Sequence, residues 1–330
     1  MNDFIPAFDW TRVVIDPWAA QFESSFWIVL MGFLATAACG LIGNYLILRR
    51  MALVGDAISH SVLPGLAVAF LFSGSLQIGA MFAGAIVAGV LTTLLIELIH
   101  TKSRVKTDAA IGITFCSLFA IGVILINVFA GKIHLDTECV LYGEISYVPL
   151  ESSVKWLGGA IELGPRPVVT MALVFLAVIA LIVVFYKELL VCSFDPTLAA
   201  SLGFSPKVFH YGLMVVLSVV VVSAFESVGA ILVIAMLILP GATAQLLSPR
   251  LPVVMVLSVL AAALSSLLGY HLGVWMRCSI AGAMVVAAAA LFLLVWIFSP
   301  EQGLLQRWRR ARRVDDGGES RIEENNGYSS

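Results

Sequence analysis

Two ionisable residues stand four positions apart in an otherwise apolar stretch, Met51–Leu66, with the sequence MALVGDAISHSVLPGL. At that spacing Asp56 and His60 lie on one face of a helix, one turn apart, so a carboxylate oxygen and an imidazole nitrogen can reach the same divalent cation. Ionisable residues in an apolar span are costly and are rarely kept without a task. The pair therefore predicts a transient metal site, with a helix cap at Asp56 and a satisfied interior histidine as the structural alternatives.

The residues around this pair offer accessory oxygen ligands. Pro64 has no N–H, so the carbonyl of His60 loses its usual helical partner and becomes a candidate third ligand. Ser59 carries a hydroxyl close by. Pro64 followed by Gly65 also predicts a broken or kinked helix, of the kind that transporters use at their binding sites.

A second candidate element lies in the polar segment after residue 192. Asp195 followed by Pro196 is typical of a helix start, with the aspartate as the N-cap and the proline at the first helical position. Gly203 would end that helix, which therefore spans about 195–203 and includes Ala199 and Leu202. A docking element for a cytoplasmic partner and an ordinary connecting loop are the two interpretations.

A third stretch, residues 226–245 (ESVGAILVIAMLILPGATAQ), repeats the Leu-Pro-Gly of residues 63–65. Pro240 frees the carbonyl of Met236, and the small residues after it favour close helix packing. Glu226 at its start is a candidate for the outer mouth of a cation path, where it would attract cations. A solvated loop glutamate is the alternative.

Long apolar runs must position all three stretches. Hydrophobic residues make up 60% of the 330-residue chain and charged residues 12%, whereas a soluble domain carries about 25% charged residues. Segments long enough, or nearly so, to cross a membrane as helices fall at 26–48, 57–73, 77–99, 109–130, 167–186, 208–226, 228–247, 252–270 and 279–298. The sequence therefore predicts an all-α polytopic membrane protein with eight or nine transmembrane helices, the pair 208–226 and 228–247 being the ambiguous one.

Positive charge predicts the orientation. With the N-terminus outside, the inner segments hold thirteen Lys and Arg residues and the outer segments five, counted up to Arg313, which agrees with the positive-inside rule. We therefore expect an extracytoplasmic segment at 1–25, a transmembrane domain at 26–299 and a cytoplasmic tail at 300–330. The tail is first basic and then acidic, predicted to be disordered. Its arginine run would anchor the topology or contact anionic lipid.

Several functions are excluded by missing motifs. The sequence has no G-x-x-x-x-G-K-[ST], so an ATP motor would have to be another polypeptide. It also lacks H-E-x-x-H and G-x-S-x-G, the usual signals of membrane proteases and hydrolases. Five scattered cysteines without a C-x-x-C fit small buried hydrophobes.

Five stretches together resemble one family, the permeases of manganese, zinc and iron ABC importers. They are RRMALVGDAISHSVLPG at 49–65, TDAAIGITFCSLFAIGV at 107–123, HLDTECVLYGEI at 134–145, FDPTLAASLGFSP at 194–206 and VGAILVIAMLILPGATA at 228–244. They occur in the family's order and cover nearly all of the membrane domain. GDAISHSVLPG is similar to the manganese- and iron-type members.

The resemblance implies partners and roles that composition does not show. Such permeases pair as homodimers or with a paralogue, and HLDTECVLYGEI looks more like one half of a heterodimer. Each half docks a cytoplasmic ABC ATPase through a coupling helix, to which residues 195–203 correspond in position. An extracytoplasmic cluster A-I binding protein delivers the metal. Asp56 and His60 match the family's metal-contacting pair in the pathway.

The resemblance also implies a location and a cargo. The protein would lie in the bacterial cytoplasmic (inner) membrane in contact with lipid, without a nucleic-acid partner, a permanently bound cofactor or an enzymatic activity of its own. The cargo would be Mn²⁺ first, then Fe²⁺ or Zn²⁺, because a mixed site of carboxylate, imidazole and carbonyl groups suits the harder ions. The rival hypotheses are a gradient-driven secondary transporter using Asp56 and His60 as a proton-coupled pair, and an intramembrane metalloenzyme. The metalloenzyme would need a third protein ligand and a catalytic acid or base within a span, and the sequence offers no convincing candidates for them.

Overall fold

Fourteen helices and strands account for most of the described chain. A computed structural model describes residues 8–49, 51, 53–73, 78–129, 144–156, 161–299 and 303. After a π-helical turn at Thr11–Ile15, the elements are α1 (Asp16–Ala20), α2 (Phe22–Leu48), α3 (Val54–Ser73), α4 (Ile78–Lys102), α5 (Thr107–Phe129), β1 (Ser153–Trp156), β2 (Ile161–Pro165), α6 (Arg166–Val184), α7 (Tyr186–Phe194), α8 (Pro196–Ser201), α9 (Pro206–Val228), α10 (Ala230–Leu247), α11 (Leu251–Met276) and α12 (Ile280–Phe298). A 3₁₀ turn at Ile145–Leu150 precedes the strands, which form one antiparallel hairpin.

The helices confirm the predicted polytopic architecture. In the described part of the chain, eight are long and apolar enough to cross a membrane: α2, α3, α4, α5, α6, α9, α11 and α12. The ninth predicted span corresponds to α10, whose apolar part Leu232–Leu247 is shorter. α9 and α10 are separate helices joined at Gly229, where φ is 87°, a backbone conformation that glycine adopts without strain.

α2 forms the centre of the bundle. Its residues are buried almost without interruption from Leu34 to Leu46, as expected for a helix that is apolar on every side. α6, α10 and α11 pack around it, and α3 packs against α4, α5, α9 and α10. The element that carries the candidate metal pair is therefore enclosed by four helices.

Small residues and polar pairs bring the helices together. A β-carbon on Gly65 of α3 would lie 2.4 Å from the carbonyl oxygen of Gly84 in α4, so the two backbones touch there. Between α2 and α11, Asn44 Nδ2 donates to Ser258 Oγ at 2.9 Å. Both devices are typical of membrane helices, where apolar side chains gain little by leaving lipid for a neighbouring helix.

The prolines interrupt neither helix. α3 is continuous across Pro64 and α10 across Pro240, so the predicted break at Pro64 does not occur. The ring of Pro64 sits in a gap that a β-carbon on Gly122 of α5 would fill, at 2.8 Å from Pro64 Cδ. Close support by a neighbouring helix explains why α3 continues, because only one backbone hydrogen bond is lost at the proline.

Some predicted features lie outside the described residues. These are most of HLDTECVLYGEI at 134–145, the first seven residues, and the tail from residue 300 except Gly303. Glu226 belongs to the last turns of α9, but its side chain also lies outside the described part of the chain.

Candidate functional site

The structure brings Asp56 and His60 together on one face of α3. His60 Nε2 lies 3.3 Å from Asp56 Oδ1, as the four-residue spacing predicts. The helix begins at Val54, so Asp56 is its third residue rather than its N-cap. The Asp56 side chain is 35% exposed and the His60 side chain is 23% exposed. Both side chains are therefore accessible to an ion.

Aromatic side chains of α5 fix the imidazole. The His60 ring lies 5.3 Å from the ring of Phe115 and 5.9 Å from that of Phe119, measured between centroids. These two residues are four apart on α5 and present one face to α3. The contacts limit rotation of the His60 ring, whose Nε2 faces Asp56.

The predicted accessory residues are arranged differently. Ser59 is buried, and its hydroxyl donates to the Gly55 carbonyl of its own helix at 2.9 Å. Pro64 is buried against Gly122. Among the described residues no three His, Cys, Asp or Glu side chains cluster as a metal site. At the level of Asp56 and His60, the described chain thus offers two side chains that could bind a metal.

The second predicted element is a short capped helix outside the spans. Asp195 Oδ1 accepts hydrogen bonds at 3.0 Å from the backbone N–H groups of Thr197 and Leu198, with Pro196 at the first helical position. Gly203 ends the helical turn with φ of 87°. The helix thus spans Pro196–Ser201, with Asp195 as its N-cap and Gly203 two residues beyond its end.

The hydrogen bonds to Asp195 also set its charge. The backbone N–H of Leu198 first, and Thr197 in addition, hold the pKa of Asp195 below its ordinary value. A lowered pKa means that the cap stabilises the helix at neutral pH and that this stabilisation is lost only as the pH falls through the folded-state pKa.

The two residues predicted to contact a partner here, Ala199 and Leu202, differ in exposure. Ala199 is fully buried, whereas Leu202 is 58% exposed. Leu198 and Phe194 are exposed beside it, at 49% and 61%. The apolar surface available for docking is therefore formed by Phe194, Leu198 and Leu202, and a charge at Ala199 would disturb the packing of α8 instead.

A polar cavity that the motifs did not reveal lies next to this helix. It has a volume of 590 Å³, and its lining includes Arg49, Glu97, Cys192, Ser193 and His210. Glu97 Oε2 lies 3.5 Å from His210 Nε2, which gives a second carboxylate–histidine pair. Glu97 stands within the predicted span 77–99, and an ionisable residue at such a position is itself a signal of function.

Comparisons with known proteins agree with this architecture. Residues 21–299 match the model of the ABC 3 transport family. The chain is 44% identical over 281 residues to the manganese transport system membrane protein MntD of Bacillus subtilis, covering 85% of this chain and 94% of that one. It is also 44% identical over 290 residues to the zinc transport system membrane protein TroD of Treponema pallidum, covering 87% and 78%.

A solved structure supports the same conclusion. PsaBC from Streptococcus pneumoniae in complex with Fab contains a chain that superposes with a TM-score of 0.73 at 36% identity, covering 88% of this chain and 97% of that chain. The predicted resemblance is thereby confirmed. The chain belongs to the ABC 3 transport family and is a multi-pass membrane permease.

Proposed function

We propose that this permease passes a divalent transition metal from an extracytoplasmic binding protein to the cytoplasm, by alternating access driven by ATP. The observation that carries the proposal is the Asp56/His60 pair, two metal-binding side chains 3.3 Å apart that stay partly exposed within a span. Ionisable side chains within a span cost free energy, so they are rarely present there without a functional role.

Mn²⁺ is the proposed cargo, followed by Fe²⁺ and Zn²⁺. Relatives of similar identity bear names for manganese and for zinc transport, so sequence similarity alone does not separate the two. A carboxylate and an imidazole without thiolates suit the harder Mn²⁺ and Fe²⁺. The metal is substrate here, and no resident cofactor is assigned to the chain.

The partners follow from the same family. We place a cytoplasmic ABC ATPase on the surface of Phe194, Leu198 and Leu202, with hydrolysis confined to that separate subunit. A cluster A-I binding protein would dock on the opposite face, and the permease would pair with itself or with a paralogue. The membrane would be the bacterial inner membrane, with the C-terminus in the cytoplasm.

Metal uptake tests the site assignment. Asp56→Ala and His60→Ala should each lower accumulation of the transported metal at least about tenfold, because changes even in groups that only support metal ligands cost 10–100-fold. Accumulated metals are measured by elemental analysis of cells, with permease abundance in the membrane measured in parallel. Glu23→Ala removes an exposed carboxylate outside the pair and should leave uptake unchanged. Near-normal uptake by both pair variants would reject the assignment.

Co-purification tests the docking surface. Leu202→Glu places a charge on the exposed apolar patch of α8 and should release the ATPase from the permease or abolish ATPase stimulation by metal-loaded binding protein. Tyr147→Glu is the matched control, because Tyr147 is 64% exposed but lies in the 3₁₀ turn, away from α8. An intact, fully stimulated complex with Leu202→Glu would contradict the docking proposal.

Gradient-driven transport is not favoured as the alternative. It needs neither an ATPase nor a docking helix, whereas the chain belongs to an ABC transport family. Uptake that persists in cells lacking the ATPase but collapses with the proton gradient would reverse this preference.

A further inference from the structure

A chain of polar contacts links four segments of the bundle beside α8. Arg49, which follows α2, donates from Nε to Ser193 Oγ in α7 at 3.2 Å. Its Nη1 lies 3.4 Å from His210 Nδ1 in α9. His210 Nε2 in turn lies 3.5 Å from Glu97 Oε2 in α4. We name Arg49, His210 and Glu97 the Arg49 relay.

The chemistry of each group determines which atoms of the relay donate hydrogen bonds and which accept them. A guanidinium can only donate, so Nδ1 of His210 must accept from Arg49. A neutral imidazole with Nδ1 as acceptor carries its proton on Nε2, which faces the Glu97 carboxylate. His210 is therefore held in one tautomer from both sides, and removing Arg49 or Glu97 leaves its ring held from one side only.

The relay begins next to the docking surface. Ser193 directly precedes Phe194 of that surface and stands two residues before the Asp195 cap of α8. A displacement of α8 by a bound partner would therefore act first on the contact between Ser193 and Arg49.

The other end of the relay is connected by packing to α3, the helix that carries Asp56 and His60. Glu97 and Gly89 lie on the same helix, α4. A β-carbon on Gly89 would lie 3.0 Å from Ser218 Cβ in α9 and 3.2 Å from Ile58 Cγ2 in α3. Ile58 lies between Asp56 and His60 in the sequence but on another face of the helix. The two helices that Glu97 and His210 join, α4 and α9, therefore contact α3 at the level of the candidate metal pair.

The surroundings of the Arg49 relay leave space for its side-chain contacts to rearrange. It borders the 590 Å³ cavity, which gives α7 and α8 room to move relative to α4. Arg49 Nη2 is buried and has no hydrogen-bond partner among the described residues. Burial also lowers the pKa of the Arg49 guanidinium from its ordinary value, which marks a partly desolvated charge. An arrangement that supplied Nη2 with an acceptor would be favoured over this one.

We propose that the Arg49 relay is the positioning device that couples movement of the α7–α8 docking segment to the helices around Asp56 and His60. It would keep ATP hydrolysis tied to metal passage. The inference rests on the proposed function, because it assumes an ATPase bound at α8 and a metal passing at Asp56 and His60.

The test is the number of metal ions imported per ATP hydrolysed, measured in proteoliposomes that contain the permease complex, with metal-loaded binding protein added. Arg49→Gln and Glu97→Ala should each lower this ratio at least about fivefold, the lower end of typical coupling between sites. Glu97→Gln retains an acceptor for the His210 Nε2–H and should keep most of the coupling. Arg250→Gln removes an exposed positive charge that lies outside both the relay and the α7–α8 docking segment, and should leave the ratio unchanged.

The double variant separates coupling from simple loss of packing. If the relay acts as a unit, Arg49→Gln combined with Glu97→Ala should lower the ratio little further than either change alone. Multiplicative losses, or an unchanged ratio in both single variants, would overturn the relay. Should Arg49→Gln fail to accumulate in the membrane, the comparison of Glu97→Ala with Glu97→Gln decides. Absence of ATP-dependent import by the unmodified complex would instead overturn the proposed function and this inference with it.

Discussion

At the residue scale, the described chain holds two carboxylate–histidine pairs whose surroundings differ. Asp56 and His60 face the aromatic rings of Phe115 and Phe119, so no fixed positive charge lies against the imidazole in the contacts described there. Glu97 and His210 have the Arg49 guanidinium against the far ring nitrogen. A cation would be repelled at the second pair and accepted at the first. This difference supports the proposed roles, metal binding for the first pair and helix coupling for the second.

Metal preference should follow the ligand at position 60. His60→Cys replaces an imidazole nitrogen by a softer thiolate, which favours Zn²⁺ over Mn²⁺. We expect the ratio of zinc to manganese accumulated by cells supplied with both metals to rise at least about tenfold, the scale of changes around metal sites. Ser59→Cys is the control, since the Ser59 hydroxyl is buried and bonded to its own helix. An equal shift in both variants would argue against direct ligation by residue 60.

At the element scale, contacts of backbone against backbone set the helix positions. Gly65 and Gly84 bring α3 against α4, and a β-carbon on Gly43 of α2 would lie within 1.9 Å of the Leu237 carbonyl oxygen of α10. The contact between Gly65 and Gly84 holds α3, which carries Asp56 and His60, against α4, which carries Glu97. Lipid is as apolar as the side chains, so shape rather than hydrophobicity selects these neighbours.

Adding one methyl group should expose this dependence. Gly65→Ala forces a β-carbon to 2.4 Å from the Gly84 oxygen and should cost about 1–3 kcal/mol of stability, as overpacking does. Gly112→Ala in α5 meets nothing within 4 Å and should be neutral or stabilising by up to about 1 kcal/mol. Thermal unfolding of the two purified variants in detergent compares them. Equal midpoints would show that the α3–α4 contact does not limit stability.

At the scale of the whole molecule, polar contacts gather at two ends of the bundle. At one end Ser25 Oγ and Tyr270 Oη lie 2.6 Å apart, and Trp18 Nε1 donates to His271 Nε2 at 3.4 Å. At the other end lie Arg49 and Ser193, joined across α2 and α7. The segments assigned to opposite sides by their charge are thus brought to opposite ends by the fold.

Thiol labelling tests which end faces the cytoplasm. In a variant without the native cysteines, Glu151→Cys should react with a membrane-impermeant maleimide in intact cells, because the charge distribution predicts that residue 151 lies outside. Lys187→Cys, also exposed, should react only after the membrane is permeabilised. The reverse pattern would contradict the proposed orientation, because the proposed ATPase surface would then face the outside of the cell.

Much of this protein follows from the sequence because the relevant interactions are local. Hydropathy over about 20 residues identified the spans, and the helical period placed Asp56 beside His60. Asp195 and Gly203 indicated the two ends of α8 because a helix cap acts on residues close to it in the sequence. Tertiary structure decided the rest. Packing buried Ser59, whose hydroxyl bonds to its own helix, and kept α3 continuous at Pro64. It also buried Ala199 while leaving Leu202 exposed. Finally, it brought Arg49, His210 and Glu97 together from three distant segments. Apolar spans look alike in composition, so which faces meet depends on the fit of small residues and buried polar groups between helices, a property of pairs of segments that no single stretch of sequence contains.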